Sequence, residues 1–233
     1  MTNIPYETAL IVGAGPGIGA SVARALAAQG VKVGLAARNA EKLSGLAAEI
    51  GAETMTADAA DAGSVAALFE HMERGLGGID IVLYNASARV PGPITEIDPA
   101  EVQKAISISA FGAFLVVQQA ARRMLARRKG AILLTGASAS VKGYPRSSAF
   151  AMGKFALRGL AQSAARELAP QGIHVAHFVI DGGVRSATRP VPADKPDSLL
   201  DPDAIAQSYL DILRQPRSAW SWEIELRPWV ENF

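Results

Sequence analysis

The feature that most constrains this chain is a run of four glycines in seven residues, Gly13-Ala14-Gly15-Pro16-Gly17-Ile18-Gly19, set between an apolar stretch at 9–12 and an alanine-rich one beginning at Ala20. Such a turn, joining a buried strand to a helix amino terminus, leaves free backbone N–H groups and the positive end of the helix dipole facing one spot. Glycine lets the backbone come close to whatever sits there. A pyrophosphate fits; a tight turn between packed elements with no ligand is the other reading of a glycine cluster. The position in the first strand–helix unit favours the ligand, because doubly wound sheets bind dinucleotides there.

Short β-branched or apolar runs alternate with Ala/Leu-rich stretches along the rest of the chain, the pattern of repeated βαβ units. Strands are expected at 9–12, 32–36, 53–56, 79–84, 131–135, 174–180 and 223–226, and helices at 17–29, 40–50, 64–75, Pro99–Arg127, 147–169 and 203–213. The expected fold is α/β: a doubly wound, Rossmann-type parallel sheet with helices on both faces, one domain spanning 1–233. Gly30 and Gly51 stand where helices should end in a left-handed cap. The segment 186–201, rich in Pro and Asp, is the longest irregular stretch, and the region 186–215 is expected to cover a substrate.

Composition narrows the chemistry. There is no cysteine, so disulfides, thiolate metal sites and cysteine nucleophiles are excluded, and redox chemistry would need a bound cofactor. No metal site is expected. A net charge of +1 from 23 basic and 22 acidic residues gives no field to gather nucleic acid, so a small-molecule partner is favoured. The uncharged stretch 105–121 is short for a membrane span, and the first residues lack the basic start of a secretory signal, which makes the cytoplasm the expected location.

The spacing Gly13-x-x-x-Gly17-x-Gly19 resembles that of the short-chain dehydrogenase/reductase family, and the resemblance continues along nearly the whole chain. Asp58 matches the family residue that contacts the adenine ring. Asn85-Ala86 matches the Asn-Asn-Ala-Gly segment, with Tyr84 and Ser87 at its ends. Lys154 opens Lys-x-Ala-x-x-Gly-Leu, and Arg166-Glu167-Leu168-Ala169-Pro170 follows. The resemblance implies that Gly13, Gly15, Gly17, Ile18, Gly19, Arg38, Asp58, Asn85, Ala86, Lys154, Gly182 and Val184 bind a nicotinamide dinucleotide. An acidic residue after the second strand would bond the ribose 2′-OH; here Ala37 and Arg38 stand there. A guanidinium pairs well with a 2′-phosphate, so NADP(H) is expected over NAD(H). A solvated arginine at a helix start is the plainer alternative, and Pro16 takes the place where many NADPH-binding relatives carry a basic residue.

In the family a serine polarises the substrate carbonyl, a tyrosine transfers the proton, a lysine four residues on holds the ribose and lowers the tyrosine pKa, and a helix asparagine anchors a water. Here Lys154 is present but Phe150 occupies the tyrosine position, in a register fixed by Gly143-Tyr144-Pro145. The serine position falls on Ala137, with Ser138 one residue closer, so a shorter loop is expected to return Ser138 to the site. Ser109 replaces the asparagine. Tyr144 and Asp181 are weaker alternative proton carriers: a Gly-Tyr-Pro tyrosine more often only packs its loop, and an Asp at 181, where desolvation could hold a proton near neutrality, is more commonly a turn cap; His174 and His177 read as structural. A positioned acid is worth about 10²–10⁴ in rate.

The expectation is therefore an NADPH-dependent reductase of a small carbonyl or imine-like compound with an altered proton-transfer step. The runner-up is a catalytically weak NADPH-binding sensor or regulator, and a methyltransferase on a similar sheet fails on Lys154 and Arg38. The helices Pro99–Arg127 and 147–169 are apolar on more than one face, which implies a homodimer or homotetramer. The basic run from Arg122 to Lys129 reads as a helix carboxyl end. The three tryptophans near the end of the chain cover an edge strand or meet a neighbouring subunit.

Overall fold

The computed structural model describes residues 4–231. Strand β1 (Thr8–Val12) is buried along its whole length, as are β4 (Ile81–Tyr84), β5 (Gly130–Thr135) and β6 (Ile173–Ile180). Continuous apolar runs, rather than alternation, mark strands covered on both faces. With β2 (Lys32–Ala37), β3 (Glu53–Thr56) and β7 (Glu223–Leu226) they form one parallel sheet in the order β3-β2-β1-β4-β5-β6-β7. The chain reverses direction across the sheet between β1 and β4, so the loops leaving these two strands part and open a crevice at their carboxyl ends.

Helices α1 (Ile18–Ala27), α2 (Ser44–Ile50) and α7 (Pro202–Leu213) cover one face. The other carries α3 (Ala62–Leu76), α4 (Pro99–Ile106), α5 (Gly112–Arg127) and α6 (Ser148–Leu168). The buried positions of α3, Val65, Leu68, Phe69, Met72 and Leu76, recur at helical spacing and form one stripe against the sheet. Asp61, Asp98 and Asp201 cap helix starts by accepting from Ser64, Ala100 and Asp203 backbone N–H groups. The doubly wound, single-domain architecture agrees with the expectation.

Three local differences have physical causes. The expected helix at 40–50 begins as a 3₁₀ turn, Ala40–Leu43, capped by Asn39. The expected strand at 79–84 starts at Ile81, because Asp80 is a brace: its carboxylate accepts from Glu7 N (3.0 Å) and Arg127 (2.6 Å), and its N–H donates to the Thr8 hydroxyl (3.0 Å). The helical stretch Pro99–Arg127 is interrupted by a π turn, Ser107–Phe111. Contrary to the reading of 105–121 as too short, Pro99–Arg127 is long and apolar enough to cross a membrane. Its apolar residues Ala113, Val116, Val117, Ala120 and Met124 are nonetheless spent on the core beside β4 and β5. Within the basic run that follows, Arg123 pairs with Glu73 and Arg127 with Asp80. Trp220 stacks on His174 and Trp222 packs against the core, while Trp229 is 82% exposed.

Candidate active site in the crevice

Gly13 has φ +82°, and a Cβ on it would lie 2.3 Å from the Ala86 nitrogen, so the turn after β1 and the segment after β4 are in backbone contact. Asn85 completes the contact by donating its Nδ2 to the Gly13 carbonyl at 3.1 Å. Gly19 has a packing role, since a Cβ there would press on Ala14 at 3.3 Å. At Gly17, φ is +96° and no side chain caps α1, so the first N–H groups of a ten-residue helix are left for a ligand in the crevice.

Two cavities run from this turn in opposite directions. They share Pro16, Asn85 and Ser87 as walls, which makes them one crevice. The first, of about 370 Å³, runs over the end of β2 to Arg38, Lys42, Asp58 and Ala86. Arg38 and Lys42 are both exposed, and no acidic side chain follows β2 until Glu41. Asp58 is held by its own turn: its carboxylate accepts from Ala60 N and its N–H donates to the Ser64 hydroxyl, each at 2.9 Å.

The second cavity, of about 290 Å³, holds Phe150, Lys154, Ile18, Gly182 and Val184. Lys154 is 3% exposed and donates from Nζ to the Thr135 carbonyl at 2.7 Å. Burial, and secondarily the charge of Arg89, lowers its pKa to about 7. Phe150, one helical turn earlier, is 7% exposed and places its ring centroid 5.8 Å from Nζ. The guanidinium of Arg89 lies over the same ring, 4.0 Å from the centroid. Among the described residues, no phenol or carboxyl lines this cavity.

The expectation for Ser138 meets a different placement. It opens a 3₁₀ turn, Ser138–Ser140, and Ala137 is the residue that lines the cavity. The Ser138 hydroxyl instead acts on Asp181, where it helps to keep the carboxyl ionised. Asp181 also pairs with Lys142 (3.2 Å) and Arg227 (3.1 Å). Burial pushes its pKa up, but Ser138, Lys142 and Arg227 outweigh burial and hold the carboxyl below its usual value, which overturns the proton-carrying alternative for Asp181. Tyr144 is 45% exposed and lines neither cavity. His174 and His177 are buried in β6 and do not line them either; the first donates from Nε2 to the Ser221 carbonyl, the second from Nδ1 to the Glu223 carboxylate. Ser109, in the π turn, accepts from Ala88 N at 3.1 Å, which fixes the segment that presents Arg89.

The structure thus gathers Gly13, Gly15, Gly17, Ile18, Arg38, Asp58, Asn85, Ala86, Phe150, Lys154, Gly182 and Val184 along one crevice, and leaves Gly19, Ser138 and Tyr144 outside its lining. Lys42, Arg89 and Arg189 are lining residues that the sequence reading missed. Lys42 had a signal, a second cation one helical turn after Arg38; the others had none.

Residues 7–191 match the family model described as short chain dehydrogenase. The chain is 29% identical over 234 residues to an uncharacterized oxidoreductase of Staphylococcus aureus (strain MW2), covering 98% of this chain and all of the relative. A solved short-chain dehydrogenase from Rhodopseudomonas palustris is similar at 36% identity and TM-score 0.82, over 96% of this chain and 99% of that one. A metagenomic short-chain oxidoreductase solved in complex with NADP is similar at 26% identity and TM-score 0.85, over 99% and 100%.

Proposed function

Given that the chain belongs to the short-chain dehydrogenase family and is an oxidoreductase of that type, we propose that it uses NADPH to reduce a small carbonyl or imine-like compound, with Lys154 in the proton-handling role that a phenol fills in its relatives. The observation that carries this reading is the lysine itself: buried, aimed at the cavity, and lowered to a pKa of about 7 beside an apolar Phe150.

The residues present fit the dinucleotide. The open helix start at Gly17 and Ile18 suits its diphosphate, the approach allowed by Gly13 keeps the crevice narrow, and Asp58 and Ala86 wall the side where an adenine would lie. Arg38 and Lys42 suit a 2′-phosphate, and the related oxidoreductase in complex with NADP agrees with that choice. When bound, NADPH supplies a hydride to the substrate carbon.

Everything else falls to the chain. The substrate oxygen, or the nitrogen of an imine, must receive a proton, and the guanidinium groups of the cavity do not release theirs. Lys154, split between its two forms near neutrality, can give one, and a donor poised near the working pH is the efficient kind. The Thr135 carbonyl keeps Nζ in place between turnovers. Phe150 contributes a dry wall that strengthens charge interactions in the cavity.

A second reading is favoured by the same phenylalanine together with the turn of Ser138 towards Asp181: an NADPH-binding regulatory protein with little chemistry. Both are tested by NADPH oxidation against a panel of ketones, aldehydes and imines. Steady turnover supports the reductase. Tight NADPH binding with no turnover, and turnover appearing in Phe150→Tyr, supports the regulator. A homodimer or homotetramer is part of the proposal, since Phe111, Phe114, Met152 and Phe155 are exposed on the outer helices; light scattering reads it directly.

A further inference from the structure

The cavity around Phe150 carries more positive charge than hydride and proton transfer require. Among the described residues, four cations line it, Arg89, Lys154, Arg185 and Arg189, and no aspartate or glutamate does. Arg185 is accounted for, because it pairs with Asp201 at 2.7 Å and also lines a neighbouring cavity beside Gly17, on the side that suits the diphosphate. Arg89 and Arg189 take part in none of the ion pairs among the described residues.

Each is positioned by its surroundings. Arg89 leaves the end of β4 on a segment tied to the π turn by Ser109, and its guanidinium rests on the face of Phe150. Arg189 comes from the opposite wall, where Ser186 and Arg189 exchange backbone hydrogen bonds (3.0 and 3.1 Å) in a tight turn. Its side chain folds back over Gly183, so that a Cβ at Gly183 would sit 3.1 Å from the Arg189 Nη1. The two charges feel each other: burial, and then the Arg189 charge, lowers the pKa of Arg89. Two like charges held together without a counterion are costly, and a bound oxyanion relieves that cost while offering acceptors that match the guanidinium fork.

We propose that the substrate carries a carboxylate, recognised by Arg89 over the Phe150 ring and by Arg189 across the cavity, so that the enzyme reduces oxo acids in preference to neutral carbonyl compounds. The inference rests on the reading of this cavity as the reductive site. It also gives Phe150 a use, since an apolar ring face is a platform on which a guanidinium stacks. A carboxylate is chosen over a phosphoryl group because about 290 Å³ must also admit the nicotinamide, which leaves room for a small anion.

The test uses the full chain and two matched pairs, 2-oxobutanoate with 2-oxobutanamide and 4-oxopentanoate with 4-oxopentanamide. Binding to the NADP⁺-loaded protein is read by calorimetry, alongside NADPH oxidation. The acid should bind about tenfold to a hundredfold more tightly than its amide in at least one pair. Arg89→Gln should erase that preference, Arg89→Lys should keep part of it, and NADPH affinity should stay within about twofold in both. Equal binding of acid and amide by the unaltered chain would overturn the proposal. So would a preference that survives in Arg89→Gln, or a loss of NADPH affinity in that variant with the acid-to-amide ratio unchanged, which would assign the guanidinium to the diphosphate. Inorganic phosphate binding more tightly than either acid would overturn the carboxylate. Acid preference in binding without turnover upholds carboxylate recognition by Arg89 and Arg189 but fails the reductase reading and with it the preferred reduction of oxo acids; turnover of the amides with no acid preference upholds the reductase and overturns the carboxylate.

Discussion

The two halves of the crevice are built on different principles. From Gly13 to Asp58 the surface that meets a ligand is largely backbone and exposed cations, and its form follows from turn geometry: a left-handed Gly13 against Ala86, an uncapped helix start, and Arg38 and Lys42 past the end of β2. From Ala137 to Arg189 it is side chains that decide, with Phe150, Lys154, Arg185 and Arg189 lining the cavity. On the proposed reading, the first half holds the dinucleotide largely through its backbone and the second half exchanges one proton carrier for another. The comparison predicts that changes in the first half weaken binding and changes in the second half weaken chemistry.

The largest effect is expected at the boundary between these roles. Lys154→Met should lower kcat by about 10²–10⁴, the worth of a positioned acid, while raising the NADPH dissociation constant far less. A loss confined to binding would break the comparison, because Lys154 would then belong to the cofactor half. Next comes Gly13→Ala, where a Cβ would meet the Ala86 nitrogen at 2.3 Å and the backbone has φ +82°. NADPH affinity should fall by roughly a hundredfold in fluorescence titration, about 3 kcal/mol for combined clash and backbone strain.

A smaller effect separates the two nicotinamide forms. Arg38→Ala and Lys42→Ala should each weaken NADPH by about tenfold and leave NADH within about twofold, since only the former carries the 2′-phosphate. Equal losses for both cofactors would move these cations off the phosphate. The smallest effect sharpens the second half: Ser138→Ala should lower kcat by less than about threefold, a barrier change under about 1 kcal/mol. Its hydroxyl serves Asp181, and a drop of the size expected for Lys154→Met would place it at the reacting atoms instead.

What the sequence made legible follows the same division. The turn glycines, Arg38, Asn85 and the pairing of Phe150 with Lys154 are set by local spacing along a strand end or a helix, so they could be placed before any coordinates. Ser138 could not, because whether it or Ala137 faces the cavity depends on the 3₁₀ turn that follows β5. Arg89 depends on Ser109 bonding Ala88 across a π turn, and Arg189 on a four-residue turn folded over Gly183. Asp181 looked like a desolvated carboxyl in the sequence, and it is buried; Lys142 and Arg227, far from it along the chain, reverse the consequence. Periodicity likewise located the long helix over Pro99–Arg127 but not its π turn, which requires no unusual residue.

The account stands or falls on Lys154 as the group that holds the transferred proton, and the pH dependence of single-turnover NADPH oxidation tests it most directly. A lysine that must be protonated to act, with its pKa lowered to about 7, requires the rate to be highest below that pH and to fall as pH rises through it, towards about tenfold per unit. A rate that climbs between about pH 6 and 9, with substrate and cofactor saturating, would contradict it and return the proton to another carrier, since a lysine donor loses and never gains activity as pH rises.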